Sequence, residues 1–161
     1  MHSRANQGRI GRRRRRRGVE TLEIILVLPV LVLATVGALQ YGLMMVVHHA
    51  VFAAVHEGAR EASKGADIDE IGATVDTILA AHNLAVGPGV RVLLQDDMGV
   101  IDAVGDASLT STKVAVPPAA GEVRVVVLVS LAQAPLPNAL VTYGIDFSGS
   151  TYEASTLARK L

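Results

Sequence analysis

The chain has no cysteine, no tryptophan, and aromatic residues at only 3% of its 161 positions. Without cysteine, disulfides and thiolate chemistry are excluded, and bridges give no clue to a redox compartment. No Asn-x-Ser/Thr sequon occurs. Nucleophile elbow, phosphate-binding loop and dinucleotide fingerprint are all missing, and the Ser, His and Asp residues have no triad-like spacing. Such a chain reads as the substrate of an enzyme rather than as an enzyme, and nothing in it calls for a cofactor.

Charge is unevenly spread along the chain. Residues 1–18 hold eight arginines and no acid, which leaves seven basic residues against fifteen acidic ones in the remainder. The formal charge of zero is therefore an average over a basic head and a body of −8, an asymmetry that suggests two compartments or a tail for a polyanion. Residues 1–17 have little to bury and read as disordered in water. A polyarginine run could neutralise nucleic-acid phosphates, but the next segment offers it another task.

Half of the composition is hydrophobic, and much of that lies in residues 24–47, a run with no formal charge. At about 1.5 Å per residue this is roughly 36 Å of helix, enough to cross a hydrocarbon core of about 30 Å. Arginines beside such a span are retained on the cytoplasmic side. The expectation is a single-pass protein of the inner (cytoplasmic) membrane, N-terminus inside, with everything after about residue 48 exported.

The helical pattern continues past the span as HHAVFAAVHEGAREASKG, residues 48–65, in which Glu57 precedes Arg60 and Glu61 precedes Lys64 at pairing distance. Gly65 is a natural helix stop. One helix from about residue 20 to 64 is expected. A second is expected over 67–84, where Ile68, Ile71, Val75, Ile78, Leu79 and Leu84 recur at helical spacing behind an acidic first turn. The rest reads as strands: 90–95 and 100–104 around the turn DDMG, the Val-rich 122–132, and 145–159, with Pro117, Pro118, Pro135 and Pro137 marking loops. The predicted fold class is α+β: a long N-terminal helix, transmembrane in its first half, with a second helix and a small antiparallel sheet on its exported half.

The stretch RRRRRRGVETLEIILVLPVLVL carries a resemblance. A basic leader ending in Gly18, then a spanning helix with Glu23 as the fifth residue after that glycine, resembles the class III signal of type IV pilins and pseudopilins. With AAVHEGAREAS downstream, the chain is similar to the TadE-like pseudopilins of tight-adherence (Flp) pilus systems. The resemblance covers residues 14–63 well. It implies cleavage by a prepilin peptidase between Gly18 and Val19, with Arg12, Arg13, Arg14, Arg15, Arg16 and Arg17 as the topology-setting part of the leader. Residues 1–18 would then be a basic cytoplasmic leader, 19–47 the transmembrane segment and 48–161 the exported α+β domain.

The resemblance also gives Glu23 a role as an assembly contact, because cleavage creates an α-amino group on Val19 that a neighbouring subunit could present to the carboxylate. Its partners would be the peptidase, other pilins or pseudopilins, inner-membrane pilus assembly proteins and membrane lipid, with no nucleic acid. Bland readings stand beside these: a glycine after a charge run is common, Glu23 can simply reach the headgroups, and Pro29 is either a tolerated membrane-helix proline or a site of local unwinding.

Two clusters invite a metal. His48, His49 and His56 lack further ligands at zinc spacing and read as interfacial histidines. Asp96, Asp97, Asp102 and Asp106 do not follow the EF-hand pattern, and Asp before Gly suits a turn. The alternative function is an uncleaved signal-anchor envelope protein whose exported domain binds a ligand or partner. Two further readings are a nucleic-acid binder with the apolar run buried in an oligomer, and a secreted protein cut near residues 36–38.

Overall fold

The computed structural model describes residues 10–134 and 139–161, with side chains in the first helix described for Thr21 and from Glu23 onward. That helix, α1, runs over Ile10–Ser63. It starts about ten residues before the expected boundary and takes in residues 10–17, which the composition alone assigned to disorder. Arginine is among the better helix formers, so the run adds no backbone obstacle to the helix that follows. Pro135 and Pro137 lie outside the described residues.

The chain divides into two compact units, Met1–Leu39 and Gln40–Leu161. In the first, every side chain over residues 23–35 is exposed. From Glu23 the helix is long and apolar enough to cross a membrane, with a mean hydropathy of 2.3 in its most apolar window and only 6% of that window buried. The helix is unbroken across Pro29. The Thr35 hydroxyl donates to the Leu31 carbonyl at 2.8 Å, so this hydroxyl is satisfied by the helix itself.

In the second unit, α1 buries Val47, Ala50, Val51, Ala54, Val55, Ala59 and Ala62, a stripe at three- and four-residue spacing. Gly65, at φ +89°, follows the helix end. The second helix, α2, is Ile68–Ala80. Its N-cap is Asp67, whose carboxylate accepts from the Glu70 N–H at 2.9 Å. Ile71, Val75 and Leu79 are fully buried, each removal from water contributing about 1.5–3 kcal/mol. The helix stops four residues short of the expected end, because the His82 and Leu84 N–H groups both turn back to the Leu79 carbonyl and Asn83 takes a positive φ of 56°. Leu84 still reaches the core, which is why it fitted the helical spacing.

Strands β1 (Val90–Gln95), β2 (Ile101–Gly105), β3 (Glu122–Ser130) and β4 (Thr151–Arg159) form, among the described residues, an antiparallel sheet of order β2-β1-β3-β4. β4 begins six residues later than the sequence suggested. Residues 145–150 are instead folded into turns, with Ser148 N–H on the Asp146 carboxylate and Ser150 N–H on the Phe147 carbonyl. One face of the sheet, carrying Val90, Val92, Val123, Val125, Val127, Val129 and Ala154, shares a core with α1 and α2.

The opposite face buries Leu93, Val126 and Leu128 under Leu109 and Val114 of the connection 106–121. This strap is held by polar side chains from the sheet. The fully buried Gln95 donates to the Val114 carbonyl at 2.9 Å and accepts from Arg124, also at 2.9 Å. Arg124 continues to the Lys113 carbonyl, Arg91 donates to the Leu109 carbonyl, and the Ser111 hydroxyl donates to Glu153. At the start of the strap a side chain at Gly105, φ +102°, would strike the Val90 carbonyl at 2.2 Å, so only glycine fits.

Candidate functional site

Glu23 shares one stripe of α1 with Ile24, Val27, Leu28 and Leu31, residues that together line a shallow apolar groove. Spacings of one, four, five and eight put all five on a single helix face. A carboxylate set among exposed isoleucine, valine and leucine is costly in lipid unless it reaches water, headgroups or a cation. The side chains of Arg12–Arg17, Gly18 and Val19 lie outside the described residues. Position 19 is one turn before Glu23 along α1, about 6 Å along the axis.

The wording HEGAREAS resolves into packing. Gly58 lies where α1 meets α2: a Cβ there would stand 3.1 Å from Val75 Cγ2, 3.4 Å from Ile71 Cγ2 and 3.5 Å from Val125 Cγ1. Around it, Glu57 pairs with Arg60 at 3.2 Å and Glu61 with Lys64 at 2.6 Å. Both pairs are largely solvated and worth about 0.3–0.5 kcal/mol apiece. The motif therefore seats α2 on α1.

Neither metal candidate assembles a ligand set: among the described residues no group of three or more His, Asp or Glu is placed to hold an ion. His48 packs at a tilt against Phe52 and meets Tyr152 edge-on, with ring centroids 4.6 and 4.8 Å apart, while His49 and His56 are exposed. The aspartates are occupied locally. Asp96 accepts from the Met98 and Val100 N–H groups and closes the β1–β2 turn. Asp97 is held below the usual carboxylate range by the Gly121 N–H and then by Lys160, 3.3 Å away. Asp106 is lowered by the Ser108 hydroxyl and then by the Gly89 N–H.

Two polar residues escaped sequence reasoning, Gln40 and Gln95, the buried polar side chains among the described residues. Gln40 accepts from the Leu140 N–H at 3.2 Å, a contact across 100 positions. The signal for Gln40 was a lone amide inside an uncharged apolar run. For Gln95 it was the unbroken apolar series over 125–129, which asks for cover on both faces of the strand.

Among known families, the model described as TadE-like protein matches residues 18–60. No curated protein and no solved structure matches the chain significantly. The matched segment begins at Gly18, takes in Glu23 and the whole apolar run, and ends just beyond Gly58. The helix that carries Glu23 thus holds the segment that is similar to TadE-like proteins, and from Glu23 onward it is long and apolar enough to cross a membrane.

Proposed function

We propose that the chain is a pseudopilin, a non-catalytic structural or assembly subunit of a Flp-type pilus or related secretion apparatus. The observation that carries the proposal is the TadE-like match over residues 18–60, which gathers Gly18, Val19 and Glu23 into one recognised segment with the exposed apolar helix. In this reading the arginines hold the N-terminus in the cytoplasm and a prepilin peptidase cuts between Gly18 and Val19. The exported unit then faces outward, and Glu23 meets the new Val19 amine of a neighbouring subunit. A carboxylate and an ammonium that leave water together require each other, because either alone is expensive in the apolar layer.

The mature N-terminus tests processing. Intact-mass analysis of the protein from host membranes is expected to find Val19 first when the peptidase is active and Met1 through Gly18 still attached when it is inactivated. A chain that keeps its arginines in both strains would point to an uncleaved signal-anchor protein. Glu23→Ala is expected to leave cleavage in place and to lower co-purification with pilus components roughly tenfold or more, since it strands one member of the pair.

A further inference from the structure

The unit Gln40–Leu161 carries a second apolar feature near the start of its helix. Leu140 is buried, and its N–H binds the side chain of Gln40, which lies inside the uncharged run 24–47. Counted from Ile24, the roughly 20 residues that cross a hydrocarbon core end near residue 43. The loop is therefore tied to a helix position that falls within that count. Directly after Leu140, Val141, Tyr143 and Ile145 are 49%, 59% and 45% exposed. No formal charge occurs over residues 131–145, and the next is Asp146.

Part of the backbone of this loop is paired within the loop. The Tyr143 and Ile145 N–H groups donate to the Leu140 carbonyl and that of Gly144 to Val141, closing a short 3-10 turn over Val141–Tyr143. Backbone near hydrocarbon has to be paired internally, and the turn does so for the N–H groups of Tyr143, Gly144 and Ile145. Two exposed tyrosines, Tyr41 beside Gln40 and Tyr143 in the turn, have the apolar ring and polar tip that favour the interface between hydrocarbon and headgroups. Met98 offers the contrast: it is 82% exposed, but it sits in a turn with Asp96 and Asp97, the latter paired with Lys160.

We propose that the loop 139–147 docks into the interfacial layer of the membrane that α1 crosses, with Val141, Tyr143 and Ile145 in contact with lipid. The inference rests on the membrane-anchored reading, and it adds a second, non-spanning attachment that fixes the exported unit against the bilayer. The occupant is lipid rather than a protein groove, because the loop is bound through Gln40 to a position inside the uncharged run of the helix.

The absence of native cysteine makes the test clean. Single-cysteine variants Leu28→Cys, Met98→Cys, Val141→Cys and Ile145→Cys of the full chain, each spin-labelled and reconstituted in nanodiscs of phosphatidylethanolamine and phosphatidylglycerol, are compared by nitroxide relaxation with oxygen and with a water-soluble nickel chelate. Labels at 141 and 145 are expected to respond several-fold more to oxygen than to nickel, as at 28, while 98 shows the reverse. A nickel-accessible label at 28 would defeat the membrane reading itself. With 28 in lipid, labels at 141 and 145 that match 98, or that are shielded from both reagents as in a protein contact, would overturn the loop inference alone.

Discussion

Gly58 and Glu23 belong to the same matched segment but answer to different physics. Gly58 is small because Val75 and Ile71 already occupy the space a side chain would need. Gly58→Leu is expected to destabilise the unit Gln40–Leu161 by about 1–3 kcal/mol through overpacking, read as a lowered melting temperature by circular dichroism in detergent. Gly42→Leu, where nothing lies within 4 Å of an added Cβ, should melt close to the parent. Glu23 contributes nothing to that core, so Glu23→Ala should also melt like the parent while losing assembly. The sequence made Glu23 legible because a charge stands out against an apolar run. It left the reason for Gly58 hidden, since the crossing partner is thirteen and seventeen positions away.

Among the elements, those encoded by neighbouring residues were readable. The Asp67 cap and the acidic first turn mark the start of α2, and Asp96 with Gly99 marks the β1–β2 turn, because each makes its hydrogen bonds within a few positions. The strap 106–121 was read only as a proline-bearing loop, since what holds it comes from β1, β3 and β4. Gln95 is the centre of that clamp. Gln95→Leu removes an acceptor for Arg124 and the donor for Val114 in a buried site, an expected loss of about 1–3 kcal/mol. Hydrogen exchange should then rise over 106–121 well before it rises in β3; uniform exchange across both would show that the strap is no separate element. The start of α1 and of β4 were misjudged for a related reason, that arginine runs and Ser/Thr alternation are weak statements about where a regular element begins.

For the whole molecule, acid is the informative perturbation. Asp97 and Asp106 stay ionised to lower pH when folded than when unfolded, because backbone N–H groups, Ser108 and Lys160 favour their charged forms. The unfolded chain takes up protons near the ordinary value of about 3.9, and the folded chain does so only at lower pH. Their contribution is thus complete above about pH 4 and lost as pH falls through the folded values. Urea midpoints measured from about pH 5 down to about pH 2.5 should decline, and the decline should be shallower in the Asp97→Asn, Asp106→Asn double variant. An unchanged slope would mean that other carboxylates carry the acid response.

The stripe Val47, Ala50, Val51, Ala54, Val55, Ala59 and Ala62 has a mechanical meaning as well. It lies along the helix axis, so a pull on α1 from its membrane end loads these contacts in shear, all together, and cannot peel them one by one. Short alanine and valine side chains make such a seam shallow but let the helix backbone lie close to its bed. Tension arriving through the anchor would meet the resistance of the entire seam before any single strand of the sheet had to open.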